Sequence, residues 1–172
     1  TISCMETAVT ILLTAVRATI CSTAAQESGA IGLGGAGFPT HVKLAYDHSK
    51  VNIEYLLING AECEPYITSD YRELIENTDA IIGGIKLVLK WLDIPHAIIG
   101  IEADKPEAIS KLEKLTASVP EITVKKLPSS YPQGAEKVLV HNLTGRIVGE
   151  GMLPSDVGCV VMNVSTAGFI HT

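Results

Sequence analysis

Apolar positions along this chain follow two rhythms. Ile81, Ile82, Ile85, Val88, Leu89 and Leu92 recur three or four apart, which lines one face of a helix within a pattern running from Ser69 to the break at Pro95. Elsewhere the apolar residues gather into short runs that read as strands: Glu54 to Ile58 (EYLLI), 96–102 (HAIIGIE), Ile122 to Leu127, and Cys159 to Val164. A helix over Pro106 to Ser118 separates two of these runs, and another ends near Leu143 before the irregular stretch TGRIVGEGMLPSDVG. Strands alternating with helices predict an α/β domain with parallel strands joined by crossover helices.

The N-terminal part reads differently. Residues 7–27 predict a helix that Gly29 ends, because glycine accepts the left-handed geometry of a helix C-terminus. The stretch GAIGLGGAGFPT, residues 29–40, is too rich in glycine for regular structure. A short helix is expected after Pro39, with Lys43 near its start. We expect one α/β domain over 26–172, preceded by a helix over 1–25 and cut from a longer chain at its C-terminal end.

Composition narrows the function classes. Of 172 residues, 47% are hydrophobic and 19% charged, so the chain can bury enough surface to offset its ordering entropy. Thirteen basic against 19 acidic residues give a net charge of −6 with no basic block, which argues against a nucleic-acid partner. The uncharged run Thr7 to Val16 falls short of the roughly 20 residues of a membrane-spanning helix, so no direct membrane insertion is expected. Cys4, Cys21, Cys63 and Cys159 form no CxxC pair, which indicates neither a disulfide framework nor a cysteine metal site. His41, His48, His96, His141 and His171 show no paired spacing.

Four segments carry candidate chemistry. Gly32, Gly34 and Gly37 satisfy GxGxxG, but a helix rather than a strand precedes them, and Glu54, the acid at about the right distance, begins a strand instead of ending one. The dinucleotide fingerprint is therefore rejected. A loop that lets a flat or anionic ligand approach the backbone remains, as does a tight structural turn. In NGAECEPY, Asn59, Glu62 and Glu64 follow an apolar strand, where ligand-contacting residues of open α/β sheets sit, although a solvated loop reads the same way. Cys63 between two acids is expected to be an inert thiol. In YPQGAEK, Tyr131 and Gly134 lie in a loop and Glu136 begins a helix, where a carboxylate also suits the helix dipole. Asn163 and Thr166 leave the last strand, to meet a phosphate or to cap the next helix.

Taken in order and spacing, GLGGAGFPTHVK, NGAECEPY, YPQGAEKVLVHNLTGR and VMNVST resemble the RnfC-like family of electron-transfer proteins, related to the flavin-carrying, NADH-oxidising subunit of respiratory complex I. The likeness covers about residues 25–172. It is closer to RnfC through NGAECEPY and LPSDVG. The resemblance implies a Rossmann-like three-layer domain, with a mostly parallel sheet flanked by helices, that binds FMN and takes hydride from NADH. By position it implies that Gly32, Gly34, Gly35 and Gly37, with Phe38 beside them, cradle flavin and nicotinamide, and that Lys43 places a cation near the flavin phosphate. Asn59 and Glu62 would hydrogen-bond flavin, and Glu64 would lie near the nicotinamide. Tyr131, Gly134 and Glu136 would line the same pocket, while Asn163 and Thr166 would hold the phosphate end.

The same resemblance implies [4Fe-4S] clusters only in parts of the full-length protein outside this sequence, partner subunits, and a cytoplasmic, membrane-peripheral location. Three positions depart from complex I: Ala61 replaces an acid, Ala135 one of paired glutamates, and Met162 one of two asparagines. These departures motivate a second reading, a cofactor-free docking module of an electron-transfer complex. A cobalamin or amino-acid reductase system is a further alternative for the acceptor. No side-chain nucleophile or general base is expected in either case.

Overall fold

The computed structural model describes residues 23, 25–34, 37–44, 46, 51–62, 64 and 66–171. Most of the helix expected over 7–27 lies outside these. Its end is described, and Gly29 takes φ +67 there while Ala30 N–H reaches Ala25 O and Gly29 N–H reaches Gln26 O, both at 3.1 Å. This is the paired closure expected where glycine stops a helix.

Four strands, β1 (Tyr55–Gly60), β2 (His96–Glu102), β3 (Ile122–Leu127) and β4 (Cys159–Asn163), form one sheet in the order β3-β2-β1-β4, every pair parallel. The helices are α1 (Thr40–Leu44), α2 (Ser69–Glu76), α3 (Thr78–Leu92), α4 (Pro106–Thr116), α5 (Glu136–Thr144) and α6 (Val164–His171). Successive strand residues face opposite sides of the sheet, so β1 feeds two cores. Leu56 and Ile58 join Ile81, Ile85, Val88, Leu112 and Ala167 on one side, whereas Leu57 joins Leu139, Val140, Leu143 and Val161 on the other. The expected three layers follow from this division.

Some boundaries differ from the sequence reading. The helical pattern from Ser69 is two helices, broken at Asn77, where the Thr78 hydroxyl donates to Leu74 O at 2.6 Å. Asn and Thr favour local side-chain bonds over helix continuation, and the strong apolar spacing beginning at Ile81 hid that signal. The first strand starts at Tyr55 rather than Glu54 and runs on to Gly60, and α4 stops at Thr116. On the inner face of α3, Gly84 is needed for close approach, because a Cβ there would overlap the carbonyl oxygen of Ala167 in α6. That contact seats α6, whose first residues adjoin the candidate site.

Candidate functional site

The site forms where β1 and β4 end. Asn59 and Asn163 are register partners at the C-terminal edge of the parallel sheet, the edge where such sheets gather ligand groups. Asn59 anchors a loop, and Asn163 anchors the start of a helix. Asn59 Nδ2 donates to Gly134 O at 3.0 Å, fastening the 131–136 loop, and its Oδ1 accepts from Ala61 N–H at 3.1 Å. Asn163 Nδ2 donates to Asp70 Oδ2 at 2.8 Å, and its Oδ1 accepts from Ser165 N–H at 2.8 Å.

The described residues of the glycine stretch, 29–34 and 37–40, lie over this edge. Gly32 N–H donates to Phe38 O at 2.7 Å and Thr40 N–H to Ala30 O at 3.1 Å, closing the loop at its base, while Gly37 takes φ +58. Leu33 N–H donates to Thr166 Oγ1 at 2.9 Å, which ties the loop to the start of α6. A Cβ on Gly34 would stand 3.1 Å from Asn163 Cβ and 3.2 Å from its Nδ2, so the loop rests on Asn163 at a distance only glycine allows comfortably. The helix after the loop has five residues, with Lys43 near its end rather than its start. One short turn supplies little dipole, so the positive charge here comes from Lys43. Its Nζ donates to Glu136 Oε2 at 2.7 Å and Val161 O at 3.1 Å.

These segments enclose one cleft with two recesses that share Gly34, Asn59, Gly134 and Asn163. The smaller, about 160 Å³, is walled by the glycine loop, Thr40, Lys43, Glu136, Met162 and Thr166. The larger, about 320 Å³, is acidic, with Glu62, Glu64 and Asp70 on its walls. Glu62 also caps α2, since its Oε1 accepts Asp70 N–H at 2.8 Å and stabilises the positive end of that helix. Burial pushes the Asp70 carboxyl above the usual carboxylate range, hydrogen bonds from Asn163 and Ser165 pull it back, and the charges of Glu62 and Glu64 raise it further.

Thr40 is 2% exposed, and its Oγ1 is the one buried side-chain polar atom among the described residues without a hydrogen-bond partner. An unpaired buried hydroxyl costs about 1–3 kcal/mol, and this one stands on the wall of the smaller recess. A ligand bearing an acceptor would relieve that cost. The orphan hydroxyl, the Lys43 ammonium and the cradle kept open by Gly34 fit a phosphate-bearing flavin such as FMN.

Residues 25–172 match the family described as the Nuo51 FMN-binding domain. The chain belongs to this family. It is 48% identical over 141 residues to the C subunit of the proton-translocating ferredoxin:NAD(+) oxidoreductase complex of Clostridium ljungdahlii, covering 82% of this chain and 30% of that protein. It is 45% identical over 144 residues to the Na(+)-translocating counterpart of Acetobacterium woodii, covering 84% and 32%. Against the corresponding protein of the ion-translocating oxidoreductase complex of Citrobacter koseri the identity is 44%, over 82% of this chain and 20% of the relative. The chain thus spans about a third or less of the length of these relatives. These are the RnfC-like proteins to which the four motifs pointed.

The fold of the family also appears among solved structures. A chain of the NAD+-reducing [NiFe]-hydrogenase in the air-oxidized state superposes with a TM-score of 0.74 at 23% identity, over 92% of this chain and 30% of that one. The H2-reduced state matches with the same TM-score at 24% identity. This likeness shows the α/β three-layer architecture.

Within this member of the Nuo51 FMN-binding domain family, Gly32, Gly34, Gly37, Phe38, Lys43, Asn59, Gly134, Glu136, Asn163 and Thr166 all line the smaller recess, and Glu62 and Glu64 line the larger. Tyr131, expected in the same pocket, stands 84% exposed and lines neither recess. Gly35 and Cys63 lie outside the described residues. Reading the sequence missed Thr40, Asp70 and Val161. Asp70 carried a visible signal as an acid in the first turn of a helix, but that placement reads as capping. Thr40 carried none, because an unpaired hydroxyl is defined by what surrounds it.

Proposed function

We propose that the cleft holds FMN and that the chain is the NADH-linked flavin domain of an ion-translocating electron-transfer complex, delivering electrons to [4Fe-4S] clusters in parts of the full-length protein outside this sequence. The observation that carries the reading is the convergence of four separated segments on one cleft at the C-terminal edge of β1 and β4, with an unpaired Thr40 hydroxyl in its wall. FMN, when bound, supplies the exchange between two-electron and one-electron chemistry.

The protein's own part is binding and orientation. Lys43 and Thr40 would hold the phosphate end in the smaller recess, with Lys43 leaving or sharing its contact with Glu136. Asn59 and Asn163 would hold the shared wall, and Gly34 would let the ring approach the backbone. Glu62 and Glu64 would border the larger recess, where the nicotinamide of NADH would enter. The names of the relatives support partner subunits and a ferredoxin:NAD(+) reaction for the whole complex. On the same support, our reading of the location is a cytoplasmic domain held at the membrane's inner face by those partners. No helix among the described residues is long and apolar enough to cross a membrane.

Reconstitution tests this directly. Protein mixed with FMN and desalted should retain flavin absorbance, and anaerobic NADH should bleach it. Protein that stays colourless yet captures partner subunits would replace this reading with the docking module. Bound flavin that NADH leaves unbleached would remove the NADH step and keep the flavin site.

A further inference from the structure

The larger recess holds a group that the proposed cofactor contacts do not use. Asp70 lies in the first turn of α2, and both of its carboxylate oxygens are taken by the junction between β4 and α6: Asn163 Nδ2 reaches Oδ2 at 2.8 Å and Ser165 Oγ reaches Oδ1 at 3.2 Å. The Asn163 amide is oriented from both ends, because Ser165 N–H occupies its oxygen. With oxygen and nitrogen assigned by these partners, the amide nitrogen has to face Asp70.

Asn163 in turn supports the glycine loop. Gly34 packs against its side chain, and Leu33 N–H is held by Thr166 three residues further on. A change at Asp70 therefore reaches the wall shared by both recesses through a short chain of contacts. Only the ionised carboxylate offers two charge-assisted acceptors; on protonation the new O–H turns to the Ser165 hydroxyl, which accepts as well as donates, and Oδ2 is left a neutral, weaker acceptor for Asn163 Nδ2, so the bond that orients Asn163 loses its charge assistance.

We propose that Asp70 is a positioning residue for Asn163, and that its ionised form sets the cleft for FMN, so that affinity falls as Asp70 takes up a proton. The inference rests on the FMN reading above. The charged groups acting on Asp70 are Glu62 and Glu64 of the loop after β1, both negative, and they favour protonation together with burial. On the other elements packed against α2, Glu107 of α4 accepts from the Tyr71 hydroxyl at 3.3 Å and Lys111 donates to Ile75 O, while Asp79 lies in the first turn of α3 and His171 of α6 packs over Gly83. Because the Asp70 carboxyl is raised, the loss of affinity should begin at a pH where ordinary surface carboxylates are still ionised.

The experiment is a set of FMN titrations of the full protein by fluorescence quenching, from about pH 7.5 to about pH 5, on the native sequence, Asp70→Asn and Ser165→Ala. Native affinity should fall at least about fivefold across this range. Asp70→Asn should bind more weakly at the upper pH and lose clearly less on acidification, since the proton uptake at Asp70 is then gone. Ser165→Ala removes one bond that lowers the Asp70 carboxyl, so its loss should begin at higher pH, and this variant decides the matter if Asp70→Asn does not fold. Equal acid losses in native and Asp70→Asn protein, or an unmoved profile in Ser165→Ala, would overturn the role of Asp70 and leave the flavin site standing. Failure of the native protein to bind FMN at any pH would remove both.

Discussion

Asn59 and Asn163 sit side by side at the ends of neighbouring parallel strands, yet their side chains reach in different directions, one to Gly134 and the other to Asp70. The pair turns a sheet edge into a junction from which two loops and a helix start are held. Replacing Asn59 should therefore loosen the 131–136 loop without unfolding the sheet. Asn59→Ala is expected to weaken FMN binding about tenfold, in line with one lost hydrogen bond. Asn59→Asp should be worse than Ala, because a carboxylate oxygen would face the Gly134 carbonyl. Parallel titrations of the two variants check this, and equal losses would refute the orientation assigned to Asn59.

Two glycines of the same loop should respond differently to alanine. Gly34 has no positive φ, and its obstacle is steric, with Asn163 atoms 3.1 to 3.3 Å from the added Cβ. Gly34→Ala should displace the loop and reduce FMN affinity more than about tenfold while costing the apoprotein about 1–2 kcal/mol. Gly37 meets nothing within 4 Å but has φ +58, so Gly37→Ala should cost about 1 kcal/mol of backbone strain with a smaller effect on binding. Chemical unfolding and FMN titration of both variants separate the two causes.

Thr40 supplies a test with opposite signs. Its hydroxyl is unpaired without ligand, so Thr40→Val should leave the apoprotein equally stable or stabilise it by about 1 kcal/mol. The same change should lower FMN affinity about five- to tenfold, with Thr40→Ser closer to native. A variant that loses stability and keeps its affinity would show that the hydroxyl serves the fold.

Stability should move with pH in the direction opposite to cofactor affinity. Burial raises both Asp70 and Glu102, and the charges of nearby acids add to it. Each then binds its proton more readily folded than unfolded. The folded state gains relative stability as pH falls through these raised values toward the ordinary carboxylate range, and loses it as pH rises back through them. The thermal midpoint of the apoprotein should rise as pH falls from neutrality toward the raised range of Asp70 and Glu102, and Asp70→Asn should reduce that rise. A midpoint that drops on this mild acidification would contradict the assignment.

Local patterning along the chain is enough to fix the layers. Compact apolar runs spaced by amphipathic helices leave little choice but parallel strands with crossovers, because runs such as β1 and β4 bury both faces and each helix one. Ile81, Ile85, Val88 and Leu92 announce the face of α3 through local periodicity, and Pro95 and Gly29 announce stops through their own backbone limits. The motifs pointed to the family in the same way, as strings of residues needing no coordinates.

Which of those residues share a cleft follows from how distant segments pack. The contact between Lys43 and Glu136 joins positions 93 residues apart, and that between Leu33 and Thr166 joins positions 133 apart. Such pairs follow from strand order and register, which bring the ends of β1 and β4 together and leave Tyr131 in solvent. The roles of Thr40 and Asp70 depend on burial and on which partners are within reach, and these arise only when distant segments pack. Periodicity and backbone restriction act between near neighbours, whereas desolvation and hydrogen-bond pairing act across the fold.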